Sequence, residues 1–145
     1  METLVIQVGD KVYAQKVNPF DSEPNKTSWV GKSYEPLQAS IFNYPGETKK
    51  FRNHRHVLNP RTIKKTQEAF IVVMGQVSVD IYHEKTKAYL GSLTAKAGES
   101  IFVWEGFHEV STQGETLAYE IKCGQFTTVY EDKEFFDGGD VIPTC

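Results

Sequence analysis

Apolar and polar residues alternate with a period of two along most of this chain, in short stretches rich in β-branched and aromatic side chains. The alternation predicts strands at Leu4–Val8, Lys11–Val17, Leu37–Tyr44, Phe51–Val57, Glu68–Met74, Val77–Tyr82, Ala88–Leu93, Ser100–Trp104, Glu109–Ser111 and Leu117–Cys123. Turn residues lie between them at Pro45-Gly46, Met74-Gly75-Gln76, His83 to Thr86, Ala97-Gly98 and Gln113-Gly114. No stretch carries a sustained helical period. Many short strands at close spacing point to an all-β sandwich or barrel.

Two of these strands break the alternation. Ala69 to Met74 and Ile101 to Trp104 are apolar on both faces, which a sheet with one wet side would not show. Something must cover the outer face. The segment Asn18–Glu35 reads as a polar arm with Trp29, Val30 and Tyr34 as its apolar cover. A homodimer is therefore expected, in which a partner's sheet or exchanged Leu4–Val8 strand buries Ile71, Val73, Ile101 and Val103 as well. The chain divides into a strand and arm over 1–40, a domain over 41–130 and an acidic tail over 131–145. Phe135 and Phe136 give the tail one docked turn.

Composition narrows the class. A chain of 145 residues is one domain at roughly 100–200 residues each. Its longest apolar run, Ala69 to Met74, is far below the ~20 residues of a membrane-spanning helix. No basic residue precedes Lys11, so an export signal is not expected. Cys123 and Cys145 form no disulfide framework, and a cytoplasmic location follows as the expectation. A net charge of −3 argues against a general nucleic-acid binder.

The candidate chemistry centres on histidine. His54-Arg55-His56 on a strand would send both imidazoles to one face, an arrangement suited to a metal. Glu68 opens an apolar strand and shares a face with Phe70 and Val72, so its carboxylate should point at the core and need a partner. His108 follows the Glu105-Gly106 turn, which can re-aim it inward. From Lys49 to Lys65 the chain holds seven basic residues, among them Arg61, Lys64 and Lys65, and no acid occurs between Glu47 and Glu68. Such a cationic mouth attracts an anionic small molecule.

These residues resemble the motifs of the cupin superfamily. Gly46, His54, His56, Glu68 and Gly75 fall in the order of the first motif, and Gly98, Gly106 and His108 in that of the second. The gap from His56 to Glu68 is longer than the pattern, Trp104 replaces the second-motif proline, and His108 comes one residue early. The resemblance implies an all-β double-stranded β-helix, the cupin jelly roll. It further implies one divalent transition metal (Fe, Mn, Zn, Ni or Cu) held by His54, His56, Glu68 and His108. The function it suggests is action on a small anionic compound, possibly a carbohydrate or sugar phosphate, in the manner of an isomerase or epimerase. A non-enzymatic binding module and a metal-dependent dioxygenase are the alternatives. Metal-free epimerase cupins use a His–Tyr pair, for which Tyr119 and Tyr130 are available. Tyr119 and Glu120 alternate on a late strand, and the apolar set of Leu117, Tyr119 and Ile121 favours Tyr119 as the residue facing the cavity.

Overall fold

The computed structural model describes residues 4–46, 48–125, 128 and 133–136. They form an all-β, antiparallel structure in the arrangement of a β-sandwich, with one 3-10 turn at Pro19–Asp21. The strands are β1 (Val5–Val8), β2 (Lys11–Val17), β3 (Lys26–Val30), β4 (Ala39–Asn43), β5 (Glu68–Tyr82), β6 (Tyr89–Lys96), β7 (Ser100–Val103) and β8 (Phe107–Lys122). Among the described residues no helix is long and apolar enough to cross a membrane, and the main sheet does not close into a barrel.

The long strands β5 and β8 organise everything else. β8 pairs with one edge of β5 from Glu68 to Tyr82. The other edge is divided: β7 takes Glu68 to Ile71, and β6 takes Gln76 to Tyr82. β2 and β1 then extend the sheet beyond β7. Between the halves the β5–β8 register shifts on both sides of Met74. The sequence signals at Met74-Gly75-Gln76 and Gln113-Gly114, read as turns, are thus bulges inside two continuous strands. Glycine signals a backbone conformation, and a bulge uses the same conformation as a turn. Gly75 has φ +81°, and a Cβ there would lie 2.2 Å from the Glu115 carbonyl oxygen.

The ribbon folds over at this bulge and closes around a core that includes Tyr13, Phe70, Val79, Ile81, Leu93 and Ile101. β1 meets β6 across it, with Ile6 against Gly91. A second core lies on the outer face of β5 and β7. There β3 and β4 pair as a separate ribbon and cover Ala69, Phe102 and Trp104 with Val30 and Leu37. The arm thus covers the outer face of β7 and the start of β5, while further along β5 Ile71 is half-buried and Val73, expected to be buried by a partner, is 49% exposed. Ile101 and Val103, expected to need a partner's sheet, face the inner core and are 0% and 4% exposed. Of the two tail residues expected to dock, Phe136 packs against Tyr82 and Phe107, whereas Phe135 is exposed and the pair forms no turn.

One expected strand is missing. Residues 51–57 form none, and the described residues between β4 and β5 are irregular. Alternation predicts a strand only where a neighbouring edge is available, and the edges of β5 are already taken by β6, β7 and β8. Mutual repulsion among its closely spaced cations also opposes compaction.

Gly75→Ala should cost more than 2 kcal/mol, because the left-handed conformation alone costs about 1–2 kcal/mol and the backbone collision adds to it. Gly114→Ala, at φ +70° with nothing within 4 Å, should show only the conformational part. Urea unfolding midpoints compare the two, and equal losses would show that the fold-over does not need Gly75.

Candidate functional site

Glu68 stands at the first position of β5, and its alternation with Phe70 and Val72 turns it to the inner face. His108 is the register partner of Ile81, near the far end of the same strand, and shares that inner face. In a straight strand the two would be about 40 Å apart at ~3.3 Å per residue. The folded ribbon brings them together: His108 Nε2 lies 2.8 Å from Glu68 Oε2. A carboxylate only accepts, so Nε2 carries the proton and donates it. The edge of the Phe70 ring closes the other side of the imidazole, with ring centroids 6.5 Å apart.

Glu68 is 6% exposed, so its charge depends on these partners. Burial by itself raises the Glu68 carboxyl, but the hydrogen bond and charge of His108, the hydrogen bond with Glu120 and the charge of Lys122 together hold it below the usual carboxylate range. Glu120 faces inward opposite Phe70. Burial, then the charge of Glu68 and the hydrogen bond between the two carboxyls, push Glu120 up. Glu120 therefore takes up a proton at higher pH than Glu68 does.

A cavity of about 180 Å³ lies beside this group, lined by Lys65, Thr66, Glu68, Glu105 and His108 among others. Lys65 arrives from the end of the irregular segment and bonds Glu105 and Glu35, with its Nζ 3.4 Å from the latter. The bond to Glu105 more than offsets burial and keeps the ammonium charged beyond its ordinary range. The cavity therefore presents a cation, an imidazole and two carboxylates to one small volume.

The expected site residues separate into two groups. Glu68, His108 and Lys65 converge. His54 and His56 lie exposed in the irregular segment, their rings edge to face at 5.4 Å, with His54 Nδ1 2.9 Å from the Arg52 carbonyl oxygen. Without a strand, the same-face geometry expected for them is not formed. Arg61 and Lys64 are exposed in the same segment. Among the described residues no three His, Cys, Asp or Glu side chains are grouped as a metal shell requires. Of the four ligands implied by the cupin resemblance, Glu68 and His108 meet, while His54 and His56 lie in the irregular segment. Tyr119 is the register partner of Ile71, so it points to the outer face and is 66% exposed. The apolar set that favoured it belongs to that outer face, and Glu120 takes the inner position. Tyr130 lies outside the described residues.

Of the two residues the late strand offered, Glu120, which the sequence pattern set behind Tyr119, is the one beside Glu68. Gln67, 1% exposed, was not singled out in the sequence: its amide accepts from the Leu37 N–H at 3.0 Å and donates to Glu35 and the Trp104 carbonyl. It fastens the arm beside the site. Its position directly before Glu68, at the opening of an apolar strand, was the available signal. Compared with protein-family models, curated proteins and solved structures, the chain matches none.

The carboxyl pair has a pH signature. A carboxyl raised on folding contributes stability at low pH and loses it as pH rises from the ordinary 4.5 through the folded value. Glu120→Gln should match the parent below pH 4 and exceed it at pH 7–8 by about 0.2–1 kcal/mol, the range of partly exposed charges. His108→Ala should lose about 1–3 kcal/mol at pH 7, because it leaves buried Glu68 without its donor. Thermal unfolding across pH checks both, and a Glu120→Gln variant no more stable than its parent at pH 8 would dissolve the pair.

Proposed function

We propose that the chain is a small-molecule-binding domain of the cupin jelly-roll type, whose ligand is a small anionic compound such as a sugar phosphate. The observation that carries this reading is the bond between buried Glu68 and His108, which opens on a cavity whose cation is Lys65. Lys65 holds the anionic group, and the basic segment 49–65 raises its local concentration. His108, held by Glu68 with Nε2 protonated, takes a proton at Nδ1 from a neighbouring hydroxyl or from the carbon beside a carbonyl and gives the same proton back, the Glu68 carboxylate stabilising the imidazolium in between. That is the equipment of an isomerase or epimerase working by acid–base chemistry. A binding module without turnover would keep the ligand contacts and need no proton transfer at His108. A homodimer belongs to the same proposal, supported by exposed Leu117, Tyr119 and Ile121 beside half-buried Ile71 on the outer face of β5 and β8.

Titration calorimetry with inorganic phosphate and a hexose phosphate tests the site. Lys65→Ser should weaken binding about tenfold to a hundredfold, the worth of one charged hydrogen bond. Arg61→Ser and Lys64→Ser should mainly flatten the salt dependence. Unchanged affinity in Lys65→Ser would defeat the reading. One equivalent of tightly held metal that is lost in His54→Ala would replace the acid–base chemistry with metal chemistry. For the dimer, light scattering should give twice 16.4 kDa for the parent and 16.4 kDa for Tyr119→Glu. A parent mass of 16.4 kDa would leave the stripe uncovered.

A further inference from the structure

A larger cavity of about 370 Å³ adjoins the first and shares Lys65, Trp104 and Glu105 with it. Its other walls come from β2, the turn before it and the arm loop over residues 31–35. This cavity lies outside the inner core, and its volume falls in the roughly 300–1,000 Å³ range of small-molecule sites, which the inner one does not reach.

The walls are fixed by specific contacts. Gly31, at φ +76°, presses so closely on the indole of Trp104 that a Cβ would lie 2.6 Å from Cζ2. The Trp104 indole N–H donates to Gln15 at 3.1 Å, and Gln67 anchors Glu35. The lining is dense in charge and yet balanced. Lys11, Lys32 and Lys65 stand against Asp10, Glu35 and Glu105. Lys65 bonds both glutamates, and Lys11 lies 3.9 Å from Glu105 and 2.6 Å from Glu84. A charged ligand gains little from such a lining, since each attraction is opposed by a neighbouring repulsion. A neutral molecule with many hydroxyls matches it, because each hydroxyl can donate to a carboxylate and accept from an ammonium. Tyr34, 76% exposed on the loop, adds an aromatic face of the kind that packs on the C–H face of a sugar ring.

We propose that this outer cavity is a second binding site, for a neutral saccharide unit, built by the arm against β2 and Trp104. It stands apart from the acid–base site and does not rest on it. The reporter is the Trp104 indole N–H signal in a ¹H–¹⁵N spectrum of the full chain, assigned by its persistence in Trp29→Phe. Glucose, galactose, maltose and cellobiose at millimolar concentration are the probes. At least one should move that signal saturably, Tyr34→Ala should weaken its binding at least fivefold, and His108→Ala should leave it unchanged. The proposal is overturned if none of the four moves the signal, if inorganic phosphate moves it in their place, or if His108→Ala abolishes the effect and Tyr34→Ala does not.

Discussion

The two ends of the β5–β8 ribbon meet because the ribbon folds at one bulge, and the sandwich depends on that fold. Gly75 sits against Glu115 and Thr116, where only a residue without a side chain fits. Beyond it the inward-facing parity of β5 resumes with Val77, Val79 and Ile81, so both halves point their apolar sides at each other. β7, β2 and β1 attach to one half and β6 to the other. The same bend closes the distance between Glu68 and His108. Core and candidate site are therefore consequences of one local irregularity, as bulges near functional positions often are.

Charge completes the end of the sandwich where the site lies. Glu35, Lys65, Glu105, Lys11 and Glu84 form an alternating series that joins the arm, the irregular segment, the turn after β7, β2 and the turn after β5. The Lys11 bond, then the one from the Tyr13 hydroxyl, hold the Glu84 carboxyl down at about 2, so Glu84 stays ionised over the whole physiological range. Exposed pairs of this sort contribute little each to stability. Their effect is positional: they hold Lys65 between the two cavities and leave most of the basic segment free in solvent.

Much of this was legible in the sequence, for reasons that differ by element. β1, β2 and β6 show in the alternation because each has one plain inward face, and the two-sided strands, β7 among them, correctly required an outer cover. Glu68 was legible as core-facing because it shares parity with Phe70 and Val72. His108 was legible from the Gly106 turn, where a Cβ would lie 2.4 Å from the Tyr82 carbonyl oxygen. The bulges were not, since glycine marks turn and bulge alike. His54 and His56 read as a pair because their spacing suits a strand, but pairing edges are a property of the whole sheet and leave no trace in a single segment. Glu120 was hidden for a related reason: which face of β8 looks inward depends on its register with β5.

The central claim is that the binding centre is the Glu68–His108 pair with Lys65, and that the His54–His56 pair lies apart from it. Imidazole ¹⁵N signals of the four histidines, followed while inorganic phosphate is added, test this most directly. The account predicts that His108 moves saturably with Nε2 protonated throughout, while His54 and His56 stay at their starting positions. Movement of His54 and His56 with a silent His108 would contradict it.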